Sequence, residues 1–143
     1  MTDHVRRVAE GRQVSVGQEV PPVELTPDAI TLLRFGAVTR NAHRIHYDTA
    51  FARSEGLAAP VVMAQLHGCL FHRAAARFAG PGGLVREVAW QNRAPASVGD
   101  RLVVSGAVRS VDPAGGEITL DLIEHCGPGN VVCCRGHAVV VVG

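Results

Sequence analysis

The chain has 143 residues and a mass of 15.1 kDa. That length makes one domain that buries about 68 to 70% of the surface its unfolded chain exposes, and leaves no room for a second. With 47% apolar and 19% charged residues and a formal net charge of +1, it lies outside the disordered, collagen-like and strongly basic classes, so an electrostatic nucleic-acid binder is not expected. All fourteen basic residues are Arg, which excludes Schiff-base or amine-nucleophile chemistry from Lys.

The first residues lack a continuous apolar stretch, so neither a secretory signal nor a membrane anchor is expected, and the location expected is the cytoplasm without membrane association. Residues 1–13 read as a flexible N-terminus ahead of a single domain at 14–143. Without a signal, Cys69, Cys126, Cys133 and Cys134 are expected to be reduced thiols. Cys133 and Cys134 are neighbours in a predicted strand and point to opposite faces.

In chain order, VSVGQEVPPVEL is a short extended segment. A helix then starts at Thr26, Pro27 and Asp28: Thr26 supplies a capping hydroxyl, Pro27 suits the first helical position, and Asp28 complements the dipole. Ile30, Leu33 and Ala37 make its apolar stripe, widened by Leu32 and Phe35. The polar segment TRNAHRIHYD, residues 39–48, reads as a loop, with Asp48 capping a short helix that ends at Gly56. A longer helix runs from Val61 to Phe78, where Met63, Leu66, Leu70, Ala74 and Phe78 recur every three or four residues. Its small residues, Gly68 among them, suit a helix embraced closely by a sheet. From Gly83 onward, four apolar runs separated by ASVGD, DPAGG and GPG predict four antiparallel strands. The last is so apolar that both its faces are expected to be covered. Helices followed by a strand meander, with one central apolar helix, indicate an α+β domain whose sheet wraps that helix.

The titratable residues concentrate in one loop: Asn41, His43, His46 and Asp48. Loops carried by a rigid scaffold are where binding and catalysis tend to sit. The run VTRNAHRIHYDTAFARSEG, preceded by TPDAITLLRFGA, resembles the signature of MaoC-like hot-dog dehydratases, specifically the hydroxyacyl-thioester dehydratase type 2 and mesaconyl-CoA hydratase branch. The similarity extends to VGQEVPP upstream and WQNRAPASVGDRLVVSG downstream, and so covers roughly residues 15–142.

The resemblance implies a hot-dog fold, an antiparallel sheet curled around a long helix and usually dimerised, together with reversible hydration of a 2-enoyl thioester to the 3-hydroxyacyl form. His46 matches the family's catalytic His. Asn41 falls where related (R)-specific hydratases carry a catalytic Asp, and His43 where they carry Asn. An imidazole titrating near neutrality can accept and return a proton. An amide does not titrate, so Asn41 is expected to position the water or hydroxyl, with His43 or Asp48 supplying further basicity. The thioester oxygen needs donors, expected at the start of the central helix. There the family's His-Gly-Pro-Leu is replaced by Met63, Ala64, Gln65 and Leu66, so the resemblance makes Met63, Ala64 and Gln65 the candidate oxyanion and substrate-binding residues, with the Ala64 amide as oxyanion donor and Gln65 as a side-chain substitute.

Arg93 is a candidate for phosphates on the carrier arm, with Arg86 and Arg101 assigned more readily to solvated strand faces. His67 and His72, five apart on the long helix, are assigned packing or surface roles. A zinc set among His125, Cys126, Cys134 and His137 is not expected, because Cys134 and His137 face apart in a strand. No metal or redox cofactor is implied; the acyl group would ride on coenzyme A or the phosphopantetheine of an acyl carrier protein. The alternatives are a hot-dog thioesterase or biosynthetic cyclase, and a non-catalytic hot-dog subunit. The expected assembly is a homodimer, or a heterodimer with a second hot-dog chain.

Overall fold

Five antiparallel strands form one sheet in the order β1-β3-β4-β5-β2. The computed structural model describes residues 12–114 and 116–143; the expectation of a flexible N-terminus falls, apart from its last two residues, outside them. Strand β1 (Glu19–Leu25) is one more than the four strands predicted, because the segment read only as extended pairs with β3. Its register slips between Val20 and Val23, where Pro21 and Pro22 cannot donate to a ladder. An edge strand tolerates that.

Helix α1 (Ala29–Thr39) is capped by Asp28, whose carboxylate accepts the Thr31 N–H at 2.7 Å. The cap is thus Asp28 rather than Thr26, and Pro27 lies outside the helix. The stripe is also corrected: Leu32 and Gly36 are buried, while Ile30, Leu33 and Val38 are 54, 57 and 83% exposed. Only one ridge of α1 touches the rest of the molecule. After it come a single 3-10 turn (Arg44–His46), helix α2 (Thr49–Ser54) capped by Asp48 as expected, and the long helix α3 (Ala64–Ala79).

Helix α3 buries Leu66, Leu70, Phe71, Ala74, Ala75 and Phe78 against the sheet, the spacing of three and four that puts side chains on one face. Strands β2 (Leu84–Asn92), β3 (Leu102–Val111), β4 (Glu117–Cys126) and β5 (Val131–Val141) follow the four predicted runs. Along β4 the buried positions alternate strictly: Ile118, Leu120, Leu122, Glu124, Cys126. In β5 only Cys133, Cys134, Ala138 and Val140 are buried, so its outer face is half covered, against expectation. The expectation of four reduced thiols is corrected as well: Cys126 and Cys133 are joined as a disulfide across the β4–β5 hairpin, with Cα atoms 6.1 Å apart, and Cys69 and Cys134 are free. Among the described residues no helix is long and apolar enough to cross a membrane.

Candidate active site

The strand-like segment just before α3 joins three parts of the chain. Val61 donates its N–H to Ile45 O at 3.0 Å, Val62 donates to Ala96 O at 2.8 Å, and Val98 donates to Pro60 O at 2.8 Å. The 3-10 turn, the lead into α3 and the loop after β2 are thereby stitched into one frame. His46 sits at its centre, 8% exposed, and its Nδ1–H donates to Val61 O at 2.7 Å. A carbonyl only accepts, so Nδ1 must carry the proton and the neutral ring keeps Nε2 as its free basic nitrogen.

His46 lines a cavity of about 520 Å³ together with Asn41, Ala64, Gln65, His67, Asn92 and Arg93. A separate, mostly apolar hollow of about 370 Å³, lined by Leu32, Leu33, Pro60 and Val98, also reaches His46. His46 therefore borders two spaces, one lined by several polar side chains and one mostly apolar. Met63 precedes α3 in extended conformation, and no side chain caps the helix. Its first amides and the positive end of its dipole are left for a ligand in the cavity that Ala64 and Gln65 line.

Five sequence-predicted residues therefore come together here: His46, Asn41, Ala64, Gln65 and Arg93. Asn41 Oδ1 already accepts the His43 N–H at 3.2 Å, which leaves its NH₂ to donate. Arg86 faces Glu117 and Arg101 binds Glu24, so of these three arginines only Arg93 lines the cavity.

The other three do not line it. The exposed His43 ring accepts the Ile45 N–H on Nδ1 at 3.3 Å, capping the 3-10 turn, and lies 6.1 Å from His46 between ring centres. Asp48 accepts the Phe51 N–H at 2.9 Å and pairs with Arg44 at 2.6 Å. Those two partners, Phe51 first, hold its carboxyl below the usual range, the reverse of what a base requires. Met63 is 1% exposed and lines a hollow with Leu32 and Gly36 on the α1 side. Its methyl end reaches the α1 side, beside Gly36, so its side chain belongs to that hollow and not to the one His46 lines.

Sequence reasoning missed His67, Glu124 and Asn92. His67 was assigned packing or a surface role, yet it is a wall of the cavity, 3% exposed, and its Nδ1 lies 2.5 Å from Oε1 of the fully enclosed Glu124. The signal was present: His67 shares the stripe of Phe71, Ala74 and Phe78, and Glu124 occupies an inward position of β4, where a charge is rare. His67, Glu124 and Cys134 offer ligand atoms within 4.8 Å of one another. The Cys134 thiol, however, is pushed up to about 12 by burial and then by the Glu124 charge, and donates to Asn92 Oδ1 at 3.1 Å. It reads as a hydrogen-bonded thiol.

A five-stranded antiparallel sheet packed against one long helix is the hot-dog architecture, and the solved structures agree. An (R)-hydratase from A. caviae, described as involved in PHA biosynthesis, superposes with a TM-score of 0.85 at 22% identity, covering 93% of this chain and 100% of that one. The ChsH1-ChsH2 complex from Mycobacterium tuberculosis gives 0.82 at 21% identity, covering 92% and 100%. In sequence, a mesaconyl-C(4)-CoA hydratase from Chloroflexus aurantiacus is 49% identical over 43 residues, a stretch spanning 26% of this chain and only 15% of that relative. The model of the hydroxyacyl-thioester dehydratase type 2 family matches residues 2–98. The chain belongs to that family, within the MaoC-like hot-dog dehydratases.

Proposed function

We propose that this protein catalyses the reversible hydration of a 2-enoyl thioester to a 3-hydroxyacyl thioester, a hydro-lyase reaction. The observation that carries the reading is the pairing of His46, fixed by Val61 O with Nε2 free, with the uncapped start of α3 across one cavity. His46 Nε2 takes a proton from water as its oxygen attacks C3, and returns it in dehydration. Asn41 holds that water through its NH₂, and the Ala64 amide, with Gln65 beside it, receives the charge that develops on the thioester oxygen. Arg93, exposed beside the cavity, suits a phosphate of coenzyme A or of a carrier arm. The apolar hollow behind His46 suits acyl carbons. The reaction needs no metal or redox group.

The test is to offer crotonyl-CoA and longer 2-enoyl thioesters and follow loss of the conjugated absorbance. Wild type is expected to hydrate at least one, and His46→Ala to slow it by about 100-fold or more, the usual weight of a general base. Equal rates in both would remove His46 from the mechanism, whereas release of free thiol instead of hydration would identify a thioesterase.

A subunit that pairs with another chain is the second reading. It is favoured by apolar side chains in the open on edge strand β2, where Leu84 is 56% and Trp90 39% exposed, and by the likeness to the ChsH1-ChsH2 complex. We place a second hot-dog chain, identical or related, at that edge. Native mass alone and with a co-expressed neighbour decides: a monomer under both conditions rejects the pairing.

A further inference from the structure

A buried ion pair that serves only stability is a poor investment for a fold, because an apolar pair of the same volume usually does as well or better. His67 and Glu124, 3% and 0% exposed on α3 and β4, form such a pair whenever the imidazole carries its second proton. The second carboxylate oxygen, Oε2, has no hydrogen-bond partner and is the only enclosed side-chain polar atom so placed among the described residues. Nothing about packing explains keeping a carboxylate there. What distinguishes the pair is its position. His67 forms part of the same cavity wall as His46, and its Nδ1–H is committed to Glu124 at 2.5 Å, which leaves Nε2 as the nitrogen for the cavity.

We propose that His67 is a second catalytic residue of this pocket, the proton donor to C2, and that Glu124 is the positioning residue that holds its ring and balances its charge. The inference rests on the hydratase reading and deepens it. Hydration moves two protons: one leaves the attacking water, and one must arrive at C2 as the double-bond electrons pass through the thioester enolate. The two imidazoles suit these opposite tasks by their partners. His46 faces a neutral carbonyl and offers a free lone pair. His67 faces a carboxylate that neutralises the ring when it is protonated, the arrangement in which a buried carboxylate orients a histidine and stabilises its cation.

In the forward step an O–H bond of water breaks toward His46 Nε2 and the O–C3 bond forms. The C2–H bond then forms from the protonated His67 Nε2. Water in the cavity returns the extra proton from His46 to His67, so the pair ends as it began. This supplies the titratable group that Asn41 cannot be.

The titratable and charged groups around His67 are Glu124 on β4, Cys134 on β5, His46 on the 3-10 turn and Arg93 after β2. Cys134 is pushed up to about 12 and stays protonated over the working range. The decisive measurement is kcat and KM for crotonyl-CoA hydration against pH in wild type, His46→Ala, His67→Asn and Glu124→Gln, with folding checked by circular dichroism. Since His46 must be neutral and His67 protonated, wild type should lose activity at both ends. His67→Asn should lower kcat about 100-fold with KM within about threefold, and abolish the alkaline limb. Glu124→Gln removes the opposing charge, so that limb should move toward acid by about one pH unit or more.

His67→Asn hydrating at the wild-type kcat, or slowed with its alkaline limb intact, overturns the proposal and leaves His46 in place. A wild type inactive on every chain length overturns the hydratase reading along with it. Should His67→Asn fail to fold, Glu124→Gln decides alone: an unmoved alkaline limb rejects the assignment.

Discussion

Asp48 shows how a residue inside a functional motif can serve the backbone instead of the chemistry. Its carboxyl is lowered first by the Phe51 N–H and then by Arg44, so as pH falls the unfolded chain binds that proton before the folded one does. The stabilisation is therefore complete above the unfolded value of about 3.9 and lost as pH drops through the lower folded value. Asp48→Asn keeps an acceptor for the cap but cannot titrate. Melting temperatures of the two proteins, measured from about pH 6 to pH 2, should differ at the top and converge at the bottom; a constant gap would mean that the charge contributes nothing. The same distinction explains what could be read at this scale. His46 and Asn41 were legible because their motif is contiguous and the structure sets both on one cavity. The His67–Glu124 contact bridges 57 positions, and finding it required the inward register of β4 to be combined with the stripe of α3. The partner that fixes His46 is a main-chain carbonyl, and no side-chain pattern encodes it.

Among elements, α3 and β2 fit through one missing side chain. The ring of Trp90 lies over Gly68, where an added Cβ would meet ring atoms at 2.4 Å, and its Nε1–H donates to Ala64 O at 3.1 Å. Helix propensity alone predicts that Gly68→Ala stabilises by about 1 kcal/mol. The clash outweighs it: the ring must shift and its hydrogen bond to the first turn of α3 must stretch, so a net loss of about 1 to 3 kcal/mol is expected. Denaturant unfolding gives the sign, and fluorescence of the single Trp reports the displacement; a more stable variant with unchanged emission would show that the contact yields freely. The small residues of α3 announced this closeness from the sequence. The orientation of α1 was not announced, because Ile30, Leu33 and Leu32 are equally apolar and only the tertiary contact chooses Leu32. Strand β1 stayed hidden behind its Pro pair, a signal that speaks against a strand unless the strand is known to be an edge.

At the scale of the whole molecule, four strand-like runs set apart by turn signals, together with one helical stripe, made the α+β architecture legible, since a sheet and a helix each apolar on one face bury those faces together. One consequence separates stability from activity. Phe78, 1% exposed, is buried in the last turn of α3, eleven residues and so about 16 Å along the helix from His67. Phe78→Ala should cost about 3 to 5 kcal/mol, a large part of the roughly 5 to 15 kcal/mol that holds a domain of this kind together. The melting temperature should fall by about 10 to 15 °C. Because helix and sheet share one core, amide exchange should accelerate in α3 and in β3, β4 and β5 together. The cavity is fixed locally by Val61, Val62 and Val98 through main-chain hydrogen bonds, so well below the melting point the pH profile of hydration should keep its shape. Exchange that accelerates only around Phe78 would show that the far end of the helix opens on its own, and a distorted pH profile would show that the catalytic frame leans on the core more than its hydrogen bonds imply.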